Sequence, residues 1–274
     1  MTDEWGFYER LTESEQMRIL VNIGYKSEMP LAEHSDLLSV TLNLYTVRQT
    51  TQTKKALIVQ LELFESKLEK WASGTFGAKY VGRINTSTRL EFYYYMPKGA
   101  FSATAFQEWM QQEWTFRAQH YVKDDAVWEF YGFLLPNRLE ELFVHNAHMI
   151  YALLHKGDNI GQPRNVYHWL LFAQAEDRTA VEPTLRQLGY RIEKERPGEP
   201  DEGYPFPLVI SRFDDVKLDT VNERVRELYG VISGYDSRYD GWGSTMRISS
   251  TGRFRQNVKR LLNTTLRRFH LGRR

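Results

Sequence analysis

Cysteine is absent from all 274 residues. That excludes disulfides, thiolate nucleophiles and cysteine-ligated zinc or iron–sulfur centres. Long apolar runs are missing too. Runs such as Phe92 to Met96 and Trp169 to Ala173 fall far short of the roughly 20 residues that cross a bilayer. The opening residues Met1-Thr2-Asp3-Glu4-Trp5 are acidic and carry no basic stretch followed by an apolar one, so no secretory signal is expected and a cytoplasmic location is. Nor does the chain contain a glycine-rich phosphate loop, a nucleophile elbow or a zinc-protease motif. The expectation is a non-enzymatic binding protein that needs no cofactor.

What is present is ample material for packed cores. Hydrophobic residues make up 42% of the chain, aromatics 14% and charged residues 26%, a globular balance at about twice the usual domain length. The net charge of +1 hides an asymmetry. From Thr245 onward there are nine basic residues and no acidic one, which leaves 27 basic against 35 acidic residues before it and a body of net charge −8. The tail is a separate electrostatic object.

Hydrophobic periodicity predicts strands over Trp5 to Glu9, Met17 to Gly24 and Ser39 to Tyr45. Leu57, Leu61, Phe64 and Leu68 are spaced as on one face of a helix from Thr53 to Trp71. A hairpin of Lys79 to Ile84 with Leu90 to Tyr95, a helix near Ala103 to Gln112 and a strand from Trp114 to Tyr121 follow. The same order recurs later: strand Val166 to Ala173, helix Glu176 to Leu188, strand Tyr190 to Lys194, strand Pro207 to Phe213, helix Leu218 to Val231, strand Tyr235 to Tyr239. Two βαββαβ units imply an α+β protein of two ferredoxin-like sandwiches. A long helix over Pro136 to His155, capped by Asn137, lies between them. The expected parts are 1–135, a linking helix 136–160, a second domain 161–244 and a basic tail 245–274. Trp5-Gly6-Phe7-Tyr8 and Trp128-Glu129-Phe130-Tyr131 form a short internal echo.

Three stretches of the C-terminal half carry a family resemblance: Leu185 to Tyr190 (LRQLGY), Phe206 to Ile210, and Tyr239-Asp240-Gly241-Trp242-Gly243. Through them it resembles the ribonuclease E activity regulator B family, small α+β proteins that inhibit ribonuclease E by binding it. The N-terminal half resembles family 695 of the bacterial domains of unknown function, through PLAEH at Pro30 to His34, YVGRI at Tyr80 to Ile84 and EFYYY at Glu91 to Tyr95. The first resemblance implies a regulator with a protein partner, plausibly a ribonuclease, and no catalytic residues. Members of that family are very acidic, whereas Asn165 to Ser244 holds fifteen acidic and ten basic residues, so attraction to a basic partner is weaker here.

Several groups are candidates for contact. Trp242, between two glycines, either anchors a partner, with Tyr239 and Asp240 beside it, or folds back to close the core. In the tail, a helix over Arg253 to Phe269 would set Phe254, Val258, Leu261, Leu262, Leu266 and Phe269 in one stripe. Arg253, Arg255, Lys259, Arg260, Arg267 and Arg268 are then available for RNA phosphates, an anionic membrane surface or the acidic body. Tyr80, Arg83, Arg89 and Phe92 to Tyr95 could form a base-stacking sheet surface, although alternation puts half of the rings in the core. Glu141, His145, His148 and His155 share a helix face and could hold a metal, which keeps a metal-dependent hydrolase using Glu141, His145 and His148 as the alternative. Asp214-Asp215 and Asp236 with Asp240 read as turn-shaping carboxylates.

Overall fold

A computed structural model describes residues 4–49, 53–194 and 198–247. They form an α+β protein of two compact units, one reaching to Glu140 and the other beginning at Glu141. The first contains β1 (Trp5–Leu11), β2 (Gln16–Asn22), β3 (Asp36–Asn43), α1 (Leu44–Gln49), α2 (Lys54–Phe76), β4 (Lys79–Asn85), β5 (Arg89–Met96), α3 (Ala103–Glu113), β6 (Ala118–Asp124) and α4 (Glu129–Leu134). Its six-stranded sheet runs β1-β2-β4-β5-β3-β6, and every pairing is antiparallel. The β1–β2 hairpin extends a four-strand kernel whose last, first, third and second strands lie side by side.

The helix read from Leu57, Leu61, Phe64 and Leu68 is α2. Thr53 Oγ1 accepts from the Ala56 amide at 3.1 Å as its N-cap. The helix passes through Gly74 and stops at Gly77, whose φ of 66° is the left-handed cap that glycine adopts without steric cost. Phe64, Leu68, Ala72 and Phe76 pack with Phe106 and Met110 of α3 over Leu38, Val40, Leu42, Phe92 and Tyr94 of the sheet. The opposite sheet face is covered as well. Trp128 stacks on Tyr95 at 4.1 Å and Phe130 meets Tyr93 at 4.4 Å between centroids, so all four rings from Phe92 to Tyr95 are buried. The expectation that only half of them would be in the core is corrected. The cause is the segment around α4, which has too few apolar turns to register as a helix in the sequence. The Trp128 echo of Trp5 is no structural repeat, because one motif lies in a strand and the other opens a helix.

The second unit takes in the rest of α5 (Arg138–His155), then β7 (Arg164–Phe172), α6 (Ala175–Gln187), β8 (Arg191–Ile192), β9 (Phe206–Asp214), α7 (Leu218–Ile232) and β10 (Ser237–Ser244). The start of α5 is a capping box: Asn137 Oδ1 accepts from the Glu140 amide at 3.0 Å, and Glu140 accepts from the Asn137 amide at 2.9 Å. The four-stranded sheet runs β10-β7-β9-β8, again last, first, third, second. Val166, His168, Leu170 and Phe172 alternate along β7 and are buried, as are Val181 and Leu185 of α6 and Val221, Val225, Leu228 and Ile232 of α7. His168 lies in this apolar layer, its Nδ1 2.8 Å from the Tyr239 hydroxyl. Burial drives its pKa down to about 3, aided by the Arg224 charge.

At the start of β7 is an enclosed ion pair. Arg164 donates both terminal nitrogens to Asp158, at 2.7 and 2.8 Å, and both side chains are fully buried. Its remaining N–H groups reach the carbonyls of Asn159 (2.6 Å), Gln162 (3.2 Å) and Thr245 (3.0 Å), so all five guanidinium donors are satisfied. Asp158 also accepts the Arg247 amide at 3.2 Å, while Asn159 donates to the Arg247 carbonyl at 2.7 Å. Residues 245–247 are therefore anchored to the folded unit.

Removing one partner of a buried pair strands the other, at a cost of about 3–5 kcal/mol. Asp158→Ala should therefore lower the urea midpoint of the second unit by that equivalent. Truncation after Arg247 should leave the midpoint unchanged, whereas truncation before Thr245 should lower it. Equal midpoints for the two truncations would refute the anchoring. His168 gives a pH test. Its folded pKa lies below its unfolded value, so its contribution is complete above about pH 6.5 and is lost as pH falls toward 3. Stability should fall there by about 1.4 kcal/mol per pH unit from this group, and His168→Gln should flatten that slope in pH-dependent unfolding.

Candidate partner-binding surface

The motif Tyr239 to Gly243 forms most of β10, at the edge of the second sheet. A bulge interrupts its register with β7 between Tyr239 and Gly241. Gly241, at φ 126°, takes a conformation that side-chain-bearing residues avoid. At Gly243 a Cβ would lie 3.2 Å from the Trp169 ring. The two glycines thus have separate uses: one makes the bulge and the other makes room for a neighbouring indole.

The bulge turns Trp242 inward. Its ring is buried and its Nε1 donates to Asn146 Oδ1 of α5 at 2.8 Å, while Asn146 Nδ2 donates to Asn222 Oδ1 of α7 at 2.9 Å. Both amides are almost wholly enclosed, so this chain of hydrogen bonds fixes α5, α7 and β10 to one another. Tyr239 is buried against His168, and burial pushes its hydroxyl pKa far up. Two of the three residues expected to meet a partner are therefore inside the unit: Tyr239, before the bulge, faces the core beside its partner Leu170, and the bulge brings Trp242, which a regular strand would set on the opposite face, to the same side beside His168. Asp240 stays outside, where it accepts from Arg238 at 3.1 Å.

Arg238 also pairs with Asp201 and lies 5.4 Å from the Tyr204 ring centroid. These contacts hold the β8–β9 loop against β10. On β9, Phe213 pairs in register with Asn165 and is 67% exposed. The exposed apolar side chains around the motif are thus Phe213 and, to a smaller extent, Phe206, Tyr235 and Met246, rather than Trp242. Behind the sheet, Tyr190 donates to Glu227 at 2.7 Å, Asp214 pairs with Arg224 at 3.2 Å, and Asp215 pairs with Lys217.

The other candidates separate clearly. Glu141, His145 and His155 are exposed on α5 and His148 is half-buried, with the His155 ring 4.2 Å from Tyr151. Among the described residues no three His, Cys, Asp or Glu side chains are placed to hold a metal ion. The proposed base-stacking surface of the first unit is not a surface. Its rings are buried, Arg83 pairs with Glu65, and Arg89 pairs with Glu15 and Glu91. Arg253, Arg255, Lys259, Arg260, Arg267 and Arg268 lie outside the described residues. No described helix is long and apolar enough to cross a membrane.

Sequence reasoning missed Asn146 and Asn222. The available signal was position: Asn146 falls three residues after Phe143 and four before Ile150 on the apolar face of α5, where an amide requires a partner. Phe213 had a weaker signal, an aromatic at the outward end of a strand otherwise alternating inward.

No curated protein matches the chain. Residues 144–244 match the family model described as Regulator of ribonuclease activity B, and residues 3–135 match the Family of unknown function (DUF695). The chain therefore joins an N-terminal part similar to that uncharacterised family to a C-terminal part similar to the ribonuclease regulators.

Proposed function

We infer that the chain is a non-enzymatic cytoplasmic regulator that docks a ribonuclease through its C-terminal unit, a ferredoxin-like sandwich, and adds RNA affinity through the arginines beyond Arg247. The observation that carries this reading is the match of residues 144–244 to the Regulator of ribonuclease activity B family. Two features support it. The strand order β10-β7-β9-β8 suits a ferredoxin-like βαββαβ unit. The unit's outward residues are those of a binding face: Phe213 as an exposed aromatic, Asp240 as an exposed carboxylate, and an acidic excess of fifteen to ten over Asn165 to Ser244. Such a face meets a basic partner with moderate, salt-sensitive affinity. Trp242 and Tyr239 serve it from behind, holding β10 in place.

Affinity capture from a bacterial lysate, with and without nuclease, tests the protein arm. A ribonuclease should be retained after nuclease treatment and lost from a Phe213→Glu, Asp240→Arg variant with an unchanged unfolding midpoint. Recovery only through intact RNA would overturn it. Trp242→Ala should behave differently, losing about 3–5 kcal/mol of stability as a core truncation. For the tail, RNA affinity measured across a salt series should weaken with a slope of about 0.7 per phosphate contact. Truncation after Arg247 should abolish that slope, and equal affinities for the full and truncated chains would exclude the RNA contribution.

A further inference from the structure

The first unit has a groove with the features of a peptide-binding site. Among the described residues, β6 lies at the end of its sheet and pairs on one side only, with β3. Alongside it runs a groove of about 760 Å³, whose lining includes Phe106 and Met110 of α3, Trp114 and Phe116 after it, and Arg117 to His120 of the strand side. An edge strand beside an apolar helix wall offers two things to an extended chain. Its outer backbone groups, which have no strand partner among the described residues, are available for a new ladder, and a floor of the largely buried Phe106, Met110 and Phe116 with half-buried Trp114 lies under every second side chain. The Trp114 indole N–H is enclosed without an acceptor, a donor without a bond in a residue that lines the groove.

Charge selects the occupant. Residues 117–123 read RAQHYVK, with Arg117 and Lys123 and no carboxylate, while Asp124 is paired with Lys98 at 3.1 Å. A second copy is disfavoured. In a two-fold antiparallel pairing centred on His120, Arg117 of each copy would face Lys123 of the other, and like charges directly opposite destabilise a ladder. Centring on Tyr121 sets Lys123 against Gln119 and Arg117 against Asp125, a carboxylate that is buried and already held by the Tyr95 hydroxyl and the Glu129 and Phe130 amides.

We propose that β6 and α3 form a docking groove for an extended acidic peptide, which adds to the sheet as a strand with apolar side chains over Phe106 and Met110 and carboxylates against Arg117 and Lys123. This site is separate from the C-terminal unit and does not depend on the ribonuclease reading.

The test uses the full chain and a synthetic peptide in which Glu alternates with Val. Its controls are the same peptide with Lys for Glu and one N-methylated at alternate backbone nitrogens. Calorimetry should show the Glu peptide binding at least ten-fold more tightly than the Lys peptide, with amide shifts confined to Gln119–Lys123 and the Trp114 indole. Arg117→Glu should reverse the preference. Met110→Trp, which fills the groove, should weaken binding at least ten-fold; should it unfold the unit, loss of binding on N-methylation reads the same ladder in the unaltered chain. Equal binding of the two charges, shifts elsewhere or no saturation at millimolar peptide would each overturn the proposal. So would concentration-dependent self-association that the peptide does not compete away, which assigns the edge to a second copy.

Discussion

The second unit depends on a guanidinium that water never reaches. Placing Arg164 and Asp158 in an apolar interior costs several kcal/mol per ion in lost hydration, and only a complete set of partners offsets it. Here the set is complete: two bonds to Asp158 and three to backbone carbonyls. Those carbonyls come from the loop before β7 and from Thr245 just after β10. The pair therefore joins the first and last strands, which are also neighbours in the sheet. An apolar side chain of equal volume would pack there without this demand, but it would not require Thr245 at one position. The cost of desolvation is coupled to the register of the sheet's closing strand.

A related constraint governs the first unit, where β5 runs in the sheet interior and both of its faces are covered. A strand of consecutive aromatics has no solvent side, and its hydroxyls must then find partners. Tyr95 donates to Asp125 at 2.6 Å, and Asp125 in turn accepts from the amides of Glu129 and Phe130. One carboxylate thus joins the aromatic strand to the start of α4. Trp128, at φ 58° in the left-handed region, is held there by its bond to the His34 carbonyl at 2.7 Å and its stack on Tyr95. The rings that resemble a base-stacking platform in sequence are the middle layer of a sandwich.

Regular periodicity was the legible part. The apolar spacing of α2, the alternation of β3 and β7 and the amphipathic α7 each have a repeat that one sequence displays, and all lie within a few residues of their expected places. β6 begins later than expected because half-buried Trp114 and buried Phe116 pack against the core from the turn after α3 rather than by strand pairing. What stayed hidden depends on contacts distant along the chain. Nothing local says that Trp242 meets Asn146 across 96 positions or that Arg164 meets Thr245 across 81. The inversion of the motif is instructive: an alternating pattern assigns sides only while the ladder is regular, and one bulge residue exchanges inside for outside.

That exchange bears on how recognition can work in this chain. Most large rings serve as core, since Trp5, Trp128, Trp242 and the Phe92–Tyr95 run are all buried. Many of the usual aromatic anchors of an interface are thus committed to folding, and among the described residues what remains outside is charge, open strand edges and scattered apolar side chains such as Phe213 on β9 and Tyr121 on β6. Interactions built from such parts are screened by salt, with a range of about 8 Å at physiological ionic strength. The chain also carries both signs, nine basic residues after residue 244 and a net −8 before it. Taken as charge alone, the two segments are fields of opposite sign, so one attracts polyanions and the other basic surfaces, and salt screens both.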